Sequence, residues 1–106
     1  MAHYLVTALP RTQRLQELQR RLAGEEFVAL QPFGRELSSA LRRARQLPDG
    51  RATWEEEDYC RPPLAQEREA VLDQYFDGLV VEPVVQGSGW DLIEPLPPLF
   101  PELAGR

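Results

Sequence analysis

The chain contains no lysine and no asparagine, and it has one cysteine, Cys60, and one histidine, His3. Without a lysine amine, Schiff-base catalysis, a P-loop phosphate clamp and a kinase-type Lys–Glu pair are excluded. One cysteine allows no internal disulfide, and one cysteine with one histidine is too few for a four-ligand zinc site. We therefore expect neither a metal nor an organic cofactor.

Long apolar runs are also missing. The first apolar stretch stops at Pro10 and has no basic residues before it, so it is not typical of a signal peptide, and no segment is long enough to span a membrane. All twelve basic residues are arginine while eight glutamines remain, which indicates a GC-rich genome rather than heat adaptation. The expected location is the cytoplasm, without membrane association.

Length and composition predict one α+β domain over residues 1–94, because 106 residues with 42% hydrophobic content can bury ~60–65% of the surface of the unfolded chain. Residues 95–106 form a proline-rich C-terminal tail. Its apolar side chains predict that it packs on the domain or on a neighbouring subunit. These side chains are Leu96, Leu99, Phe100 and Leu103.

Hydrophobic periodicity predicts the secondary structure. The predicted strands cover residues 4–9, 27–30, 51–58, 80–85 and 90–93, and the predicted helices cover residues 12–24, 37–44 and 64–79. If the arginine-rich second helix is an insertion, this order gives β-α-β followed by β-α-β-β. It favours a ferredoxin-like two-layer sandwich, with a doubly wound α/β layer as the alternative.

Charge divides the chain at an acidic segment. Residues 1–53 hold nine Arg and five acidic residues, whereas residues 54–106 hold three Arg and twelve acidic residues. The change falls at four consecutive acids, residues 55–58, between Trp54 and Tyr59. In a strand, Glu56 and Asp58 share a face with Trp54, and crowding there can raise the pKa of a carboxyl group. The competing interpretation is a solvated strand edge that prevents aggregation.

Two other segments, at Cys60 and at Gly34, contain groups that can react or bind an anion. Cys60 precedes a helix whose dipole favours a thiolate, but the acids before it oppose that charge, so a packed thiol is favoured. Gly34 and Arg35 begin the arginine-rich helix with Ser38 and Ser39. Free backbone N–H groups and a guanidinium there suit phosphate or carboxylate, although ordinary capping is favoured.

These observations favour a small soluble, non-catalytic binding or self-association module, most simply a homodimer. The alternative is a small enzyme or ligand-binding protein with an acidic and aromatic cleft. The sequence does not identify its ligand. An enzyme should show a perturbed carboxyl group, Glu56 or Asp58, within a concave pocket. Nucleic-acid binding through the arginine-rich helix is a second alternative that the net charge of −5 opposes. The candidate ligand-binding residues are Trp54, Glu56, Asp58, Tyr59 and Arg35.

Overall fold

A computed structural model describes residues 2–104. Four antiparallel strands form one sheet in the order β2-β3-β1-β4, and helices pack against it, so the fold is α+β. The strands are β1 (Ala2–Pro10), β2 (Arg45–Gln46), β3 (Ala52–Asp58) and β4 (Phe76–Val84). The helices are α1 (Leu15–Ala23), α2 (Gly34–Arg42), α3 (Ala65–Glu67), α4 (Asp73–Tyr75) and α5 (Ser88–Ile93). A 3₁₀ turn (Thr12–Arg14) precedes α1, and a π-helical turn (Arg68–Leu72) joins α3 to α4.

The pairing of β1 with β3 at the centre of the sheet determines which side chains share a sheet face. Val6 pairs with Trp54, and Tyr4 pairs with Glu56, in the β1–β3 register. Because side chains alternate along a strand, the face that carries Val6 and Trp54 points into the core. The core closes with apolar residues from the helices and from the turns next to them, among them Leu18, Leu22, Leu37, Leu41, Leu64, Val71, Leu72 and Tyr75.

The predicted helices over residues 12–24 and 37–44 are confirmed in essence by α1 and α2. The third predicted helix is shorter than expected, since the helical segment ends at Tyr75 and Phe76 begins β4. Pairing with β1 ends it: Pro10 is opposite Phe76, and the Arg11 N–H donates to the Tyr75 carbonyl. Register with a neighbouring strand therefore overrides helical periodicity here.

Two predicted strands are wrong. Residues 27–30 form turns in which Phe27 fills the core and the Leu30 N–H donates to its carbonyl. Residues 90–93 belong to α5, whose first N–H groups bind a carboxylate of β3. The arginine-rich helix α2 follows α1 directly, with no strand between them. The doubly wound alternative is also wrong, because every strand pair is antiparallel.

The C-terminal segment of the described chain runs alongside the edge strand β2. Arg45 and Pro98 form an isolated β-bridge, and the Leu99 N–H donates to the Ala44 carbonyl at 2.8 Å. Phe100 and Leu103 join the core cluster. Among residues 2–104, no helix has both the length and the apolar character needed to cross a membrane.

Candidate functional site

The site begins with Trp54 and Glu56 on the core face of β3. Both are wholly buried, and the Trp54 indole Nε1–H donates to Glu56 Oε1 at 2.9 Å. The Trp54 ring packs on Phe76 with a centroid separation of 5.2 Å. The indole is therefore fixed by packing, and it holds one oxygen of a carboxyl group that has no access to water.

Asp58, the last residue of β3, is a second buried carboxyl group, and it binds the turn that follows the strand. Asp58 Oδ2 accepts hydrogen bonds from the N–H groups of Cys60, at 3.0 Å, and Leu64, at 2.6 Å. Leu64 has a left-handed backbone with φ of 63°, which is uncommon for a residue other than glycine. This turn directs α3 back over β3, and Glu67, at its end, is wholly buried.

Glu56, Asp58 and Glu67 form the carboxyl triad. Burial raises the pKa of Glu56 well above its usual range, and the charges of Glu67 and Glu36 act in the same direction. Burial, followed by the hydrogen bond to Asp58, raises the pKa of Glu67 to about 7. Burial alone would raise the pKa of Asp58, but hydrogen bonds from Glu67 and the backbone outweigh it and leave that pKa lowered. The triad therefore has two acids that favour the protonated form and one that favours the carboxylate.

Protonation also accounts for two buried carboxyl oxygen atoms that have no hydrogen-bond partner within residues 2–104. As carboxylates, Glu56 and Glu67 would each leave an Oε2 atom without a hydrogen-bond partner among the described residues, which is costly inside a protein. With a proton on each, the interactions behind the pKa shifts connect in one direction, from Glu56 to Glu67 and from Glu67 to Asp58. The pKa shifts of the triad therefore point to protons on Glu56 and Glu67 and a carboxylate at Asp58.

A cation is the other way to neutralise such a cluster. Ligand atoms of Asp58, Cys60 and Glu67 lie within 4.8 Å of one another, with Cys60 Sγ 3.9 Å from Glu67 Oε1. A hydrogen bond from the Gln66 N–H lowers the pKa of the Cys60 thiol, but burial and the neighbouring acids outweigh it and raise that pKa. One oxygen of Asp58 is already occupied by two N–H donors. The arrangement therefore suits protons better than a metal ion, which needs a thiolate and free carboxylates.

The triad opens to solvent through Asp58, which lines a cleft of about 530 Å³ between α2 and the turn after β3. Two aromatic residues, Phe33 and Tyr59, stand among three acids and one arginine. Burial and the charge of Glu57 raise the pKa of the Tyr59 hydroxyl, which donates to Glu57. The cleft is lined by Pro32, Phe33, Glu36, Glu57, Asp58, Tyr59, Cys60, Arg61, Ala65 and Gln66.

The structure brings four of the five sequence-predicted candidates to this region. Trp54 and Glu56 lie behind the cleft, whereas Asp58 and Tyr59 line it. Arg35 lies elsewhere, in a separate groove along α2. The start of α2 is also not a free anion site, because the Gly34 N–H already donates to the Leu30 carbonyl at 2.7 Å.

Sequence reasoning missed Glu67 and gave Glu55 the wrong surroundings. Glu67 lies nine residues after Asp58, and the only signal for it was its place in an amphipathic helix. The interpretation of the acidic segment as a solvated strand edge places Glu55 in water, but Glu55 is 3% exposed on the second sheet face. There it accepts hydrogen bonds from the N–H groups of Gly87, Gly89 and Trp90. A solvated edge therefore does not describe β3.

The chain was compared with models of protein families, with curated proteins and with solved structures, and none of them matched. The residues of the triad and the cleft are therefore the basis for assigning a function.

Proposed function

We propose that the cleft beside Tyr59 binds a small basic ligand and that the carboxyl triad exchanges a proton with it. One observation supports this above all others: two wholly buried carboxyl groups, Glu56 and Glu67, stand directly behind an ionised Asp58 that faces a ligand-sized cleft. Buried acids are costly for a fold, and their concentration beside a concave surface is typical of functional sites.

The walls of the cleft favour a ligand that carries or gains positive charge. Glu36, Glu57 and Asp58 contribute three carboxylates against the single guanidinium of Arg61. The aromatic rings of Phe33 and Tyr59 offer faces that attract organic cations. A basic nitrogen seated near Asp58 would therefore be stabilised in its protonated form.

The proton comes from the pair that Asp58 and Glu67 form. Two interacting carboxyl groups lose their protons in two steps that belong to the pair, so this pair keeps one proton until the pH approaches 7. A proton donor with a pKa near the working pH is effective in general acid catalysis. A ligand that is already cationic displaces this proton to solvent, whereas a ligand with a neutral basic nitrogen takes it up; in both cases the pair is left with two carboxylates and regains its proton from solvent when the ligand leaves.

Binding of benzylamine tests this proposal, with benzyl alcohol as the uncharged probe of similar shape. Calorimetry near pH 7, in buffers with different heats of ionisation, measures both affinity and the protons exchanged. We expect saturable binding of benzylamine with net proton release, because positive charge near the pair lowers the pKa of Glu67. Asp58→Asn should weaken binding by about tenfold or more, since it removes the charge that faces the ligand.

Glu67→Gln separates binding from proton exchange. The amide keeps the shape and a donor for Asp58 but has no titratable proton, so benzylamine should still bind while proton release disappears. Glu69→Gln is the matched control, because Glu69 is exposed in the next turn and lies outside the cleft. Equal binding of benzyl alcohol would overturn the proposed ligand class. Binding without proton exchange by the parent would support a non-catalytic binding module instead.

We also propose a ferredoxin-like topology and a cytoplasmic location. A ferredoxin-like topology is supported by the antiparallel order β2-β3-β1-β4, with helices between β1 and β2 and between β3 and β4. A cytoplasmic location is supported by the free thiol of Cys60, which suits a reducing compartment.

A further inference from the structure

A second concave surface lies along α2, away from the carboxyl triad. It is a groove of about 710 Å³, which is within the usual size range of small-molecule sites. Three arginines face one acid, Glu25, across it. The groove is lined by Glu25, Val28, Arg35, Ser38, Ser39, Arg42, Arg43 and Leu103.

Helix geometry places these polar side chains on one stripe. Residues 35, 38, 39 and 42 follow the spacing that returns to the same side of a helix, and Arg43 adds the next position beyond α2. Seven residues separate Arg35 from Arg42, which corresponds to about 10 Å along the helix axis. The stripe therefore presents guanidinium groups to a ligand with more than one anionic group.

None of these three guanidinium groups forms an ion pair with a carboxylate within residues 2–104. Five other arginines do, namely Arg11, Arg14, Arg21, Arg51 and Arg68. In a chain whose net charge is −5, Glu25 is the single acid of the described chain that lines this groove, and it forms an ion pair with none of the three arginines. Uncompensated arginines facing a concave surface favour an anion from outside the chain.

Two of the guanidinium groups are also held in place. Arg42 Nη1 donates to the Leu22 carbonyl at 2.9 Å, and the Arg43 guanidinium lies 4.0 Å from the centroid of the Trp90 ring. The opposite wall is fixed too, because the loop before α2 contacts Gly34 so closely that a Cβ there would lie 2.1 Å from the Phe27 carbonyl oxygen. Preorganisation of this kind lowers the entropic cost of binding.

We propose that this groove binds a small molecule that carries two or more phosphoryl groups. Arginine matches the geometry of phosphate oxygens, the serine hydroxyls add donors, and Val28 and Leu103 supply apolar surface for the rest of the ligand. The size of the groove and the acidic character of the whole chain favour a compact polyanion over a nucleic-acid backbone.

Titration with inorganic pyrophosphate tests this proposal. Binding is measured by NMR of the arginine side-chain N–H groups and by calorimetry. Pyrophosphate should bind saturably and about tenfold or more tightly than inorganic phosphate, because it engages more than one guanidinium group. Arg35→Gln and Arg43→Gln change exposed side chains, so the fold should persist. Each should weaken pyrophosphate binding by about tenfold.

Arg20→Gln is the matched control, because Arg20 is exposed on α1 and lies outside the groove. It should leave pyrophosphate affinity unchanged. Equal weakening by all three variants would show non-specific charge attraction and overturn the proposal. Absence of saturable binding would overturn it as well. Tighter binding of a single-stranded oligonucleotide than of pyrophosphate would overturn it in favour of nucleic acid.

Discussion

Glu55 and Glu57 lie on the sheet face opposite Trp54, and β3 and α5 enclose only Glu55. Its carboxylate accepts three backbone hydrogen bonds from the segment that starts α5, and the nearest, from Gly89, is 2.7 Å long. Glu57 is less buried and accepts from Tyr59. A buried acceptor that satisfies several donors stabilises a fold far more than a surface charge does.

Glu55→Gln should therefore lower the free energy of unfolding by ~1–3 kcal/mol, because an amide has one acceptor oxygen where the carboxylate has two. The matched variant Glu57→Gln should change it by no more than ~0.5 kcal/mol, as surface substitutions usually do. Urea denaturation of both variants measures the difference. Equal small effects would show that the Glu55 bonds contribute little.

The pH dependence of stability should reveal the triad. The pKa of Glu67 is about 7 in the fold and near 4.5 when unfolded, so the fold binds more protons between these values. Stability should therefore fall as pH rises through this window, by ~2–3 kcal/mol from Glu67. Asp58 acts oppositely: its lowered pKa stabilises the fold above pH 3.8, and this is lost in stronger acid.

Glu67→Gln should remove most of that fall. Urea melts between pH 4.5 and 7.5 would show the parent losing stability while the variant changes less, so that the variant becomes the more stable of the two at the upper end. Glu36, Glu56, Asp58 and Cys60 face the same cluster and remain in both proteins, and Glu56, whose pKa is also raised, keeps its own share of the fall in the variant. Glu69→Gln, with its exposed carboxyl, should follow the parent curve. Parallel curves for the parent and Glu67→Gln would contradict a proton held at Glu67.

At the scale of secondary-structure elements, α2 depends on contact with the turns before it. Gly34 begins α2, and a Cβ at this position would lie 2.1 Å from the Phe27 carbonyl oxygen and 2.9 Å from that of Val28. Both are backbone atoms, so neither can move aside as a side chain does. The glycine allows the loop to seat against the helix and Phe27 to reach the core.

Gly34→Ala should destabilise the fold by more than ~2 kcal/mol, even though alanine has the higher helix propensity by about 1 kcal/mol. Gly24→Ala is the useful comparison, because the nearest atom to a Cβ there is 3.5 Å away. It should change stability by less than ~1 kcal/mol. Thermal melts of the two variants decide, and equal melting temperatures would contradict the close approach at Gly34.

At the scale of the whole molecule, the segment after α5 contributes to the core. Removing residues 95–106 takes away Phe100 and Leu103, together with the hydrogen bonds from Gln46 to Pro97 and from Leu99 to Ala44. We expect the melting temperature to fall by at least several degrees, since ~1 kcal/mol corresponds to ~4–8 °C in a domain of this size. Pro101→Ala, at an exposed position, should melt like the parent. Unchanged melting after truncation would indicate a detachable tail.

The second face of the sheet is the surface through which we expect two copies of the chain to pair. Helix α5 lies over Leu5 and Glu55, whereas Leu9 and Val80 are about half exposed and Leu92 is 70% exposed. Pairing of two such faces would bury these side chains. Light scattering after gel filtration should give about twice the monomer mass of 12.1 kDa, and Val80→Glu should restore the monomer. A monomeric parent would rule out this interface.

The sequence by itself determined the features that depend on local spacing. The periodicity of β1, α1 and α2 is strong enough to fix their type, and an extended backbone over residues 51–58 placed Glu56 and Asp58 on one face with Trp54. Composition excluded every reaction that needs a lysine amine. These inferences hold because each depends on near neighbours along one chain segment.

Tertiary structure decided the rest. Residues 90–93 form a helix because Glu55, more than thirty residues earlier, binds the N–H groups at its start. Glu67 completes the triad only because the turn after β3 directs α3 back over Glu56. Whether an arginine of α2 has a carboxylate partner likewise depends on which chain segments pack against that helix. Burial and long-range hydrogen bonding fix the pKa of a carboxyl group and the type of a short apolar segment, and neither can be read from spacing alone.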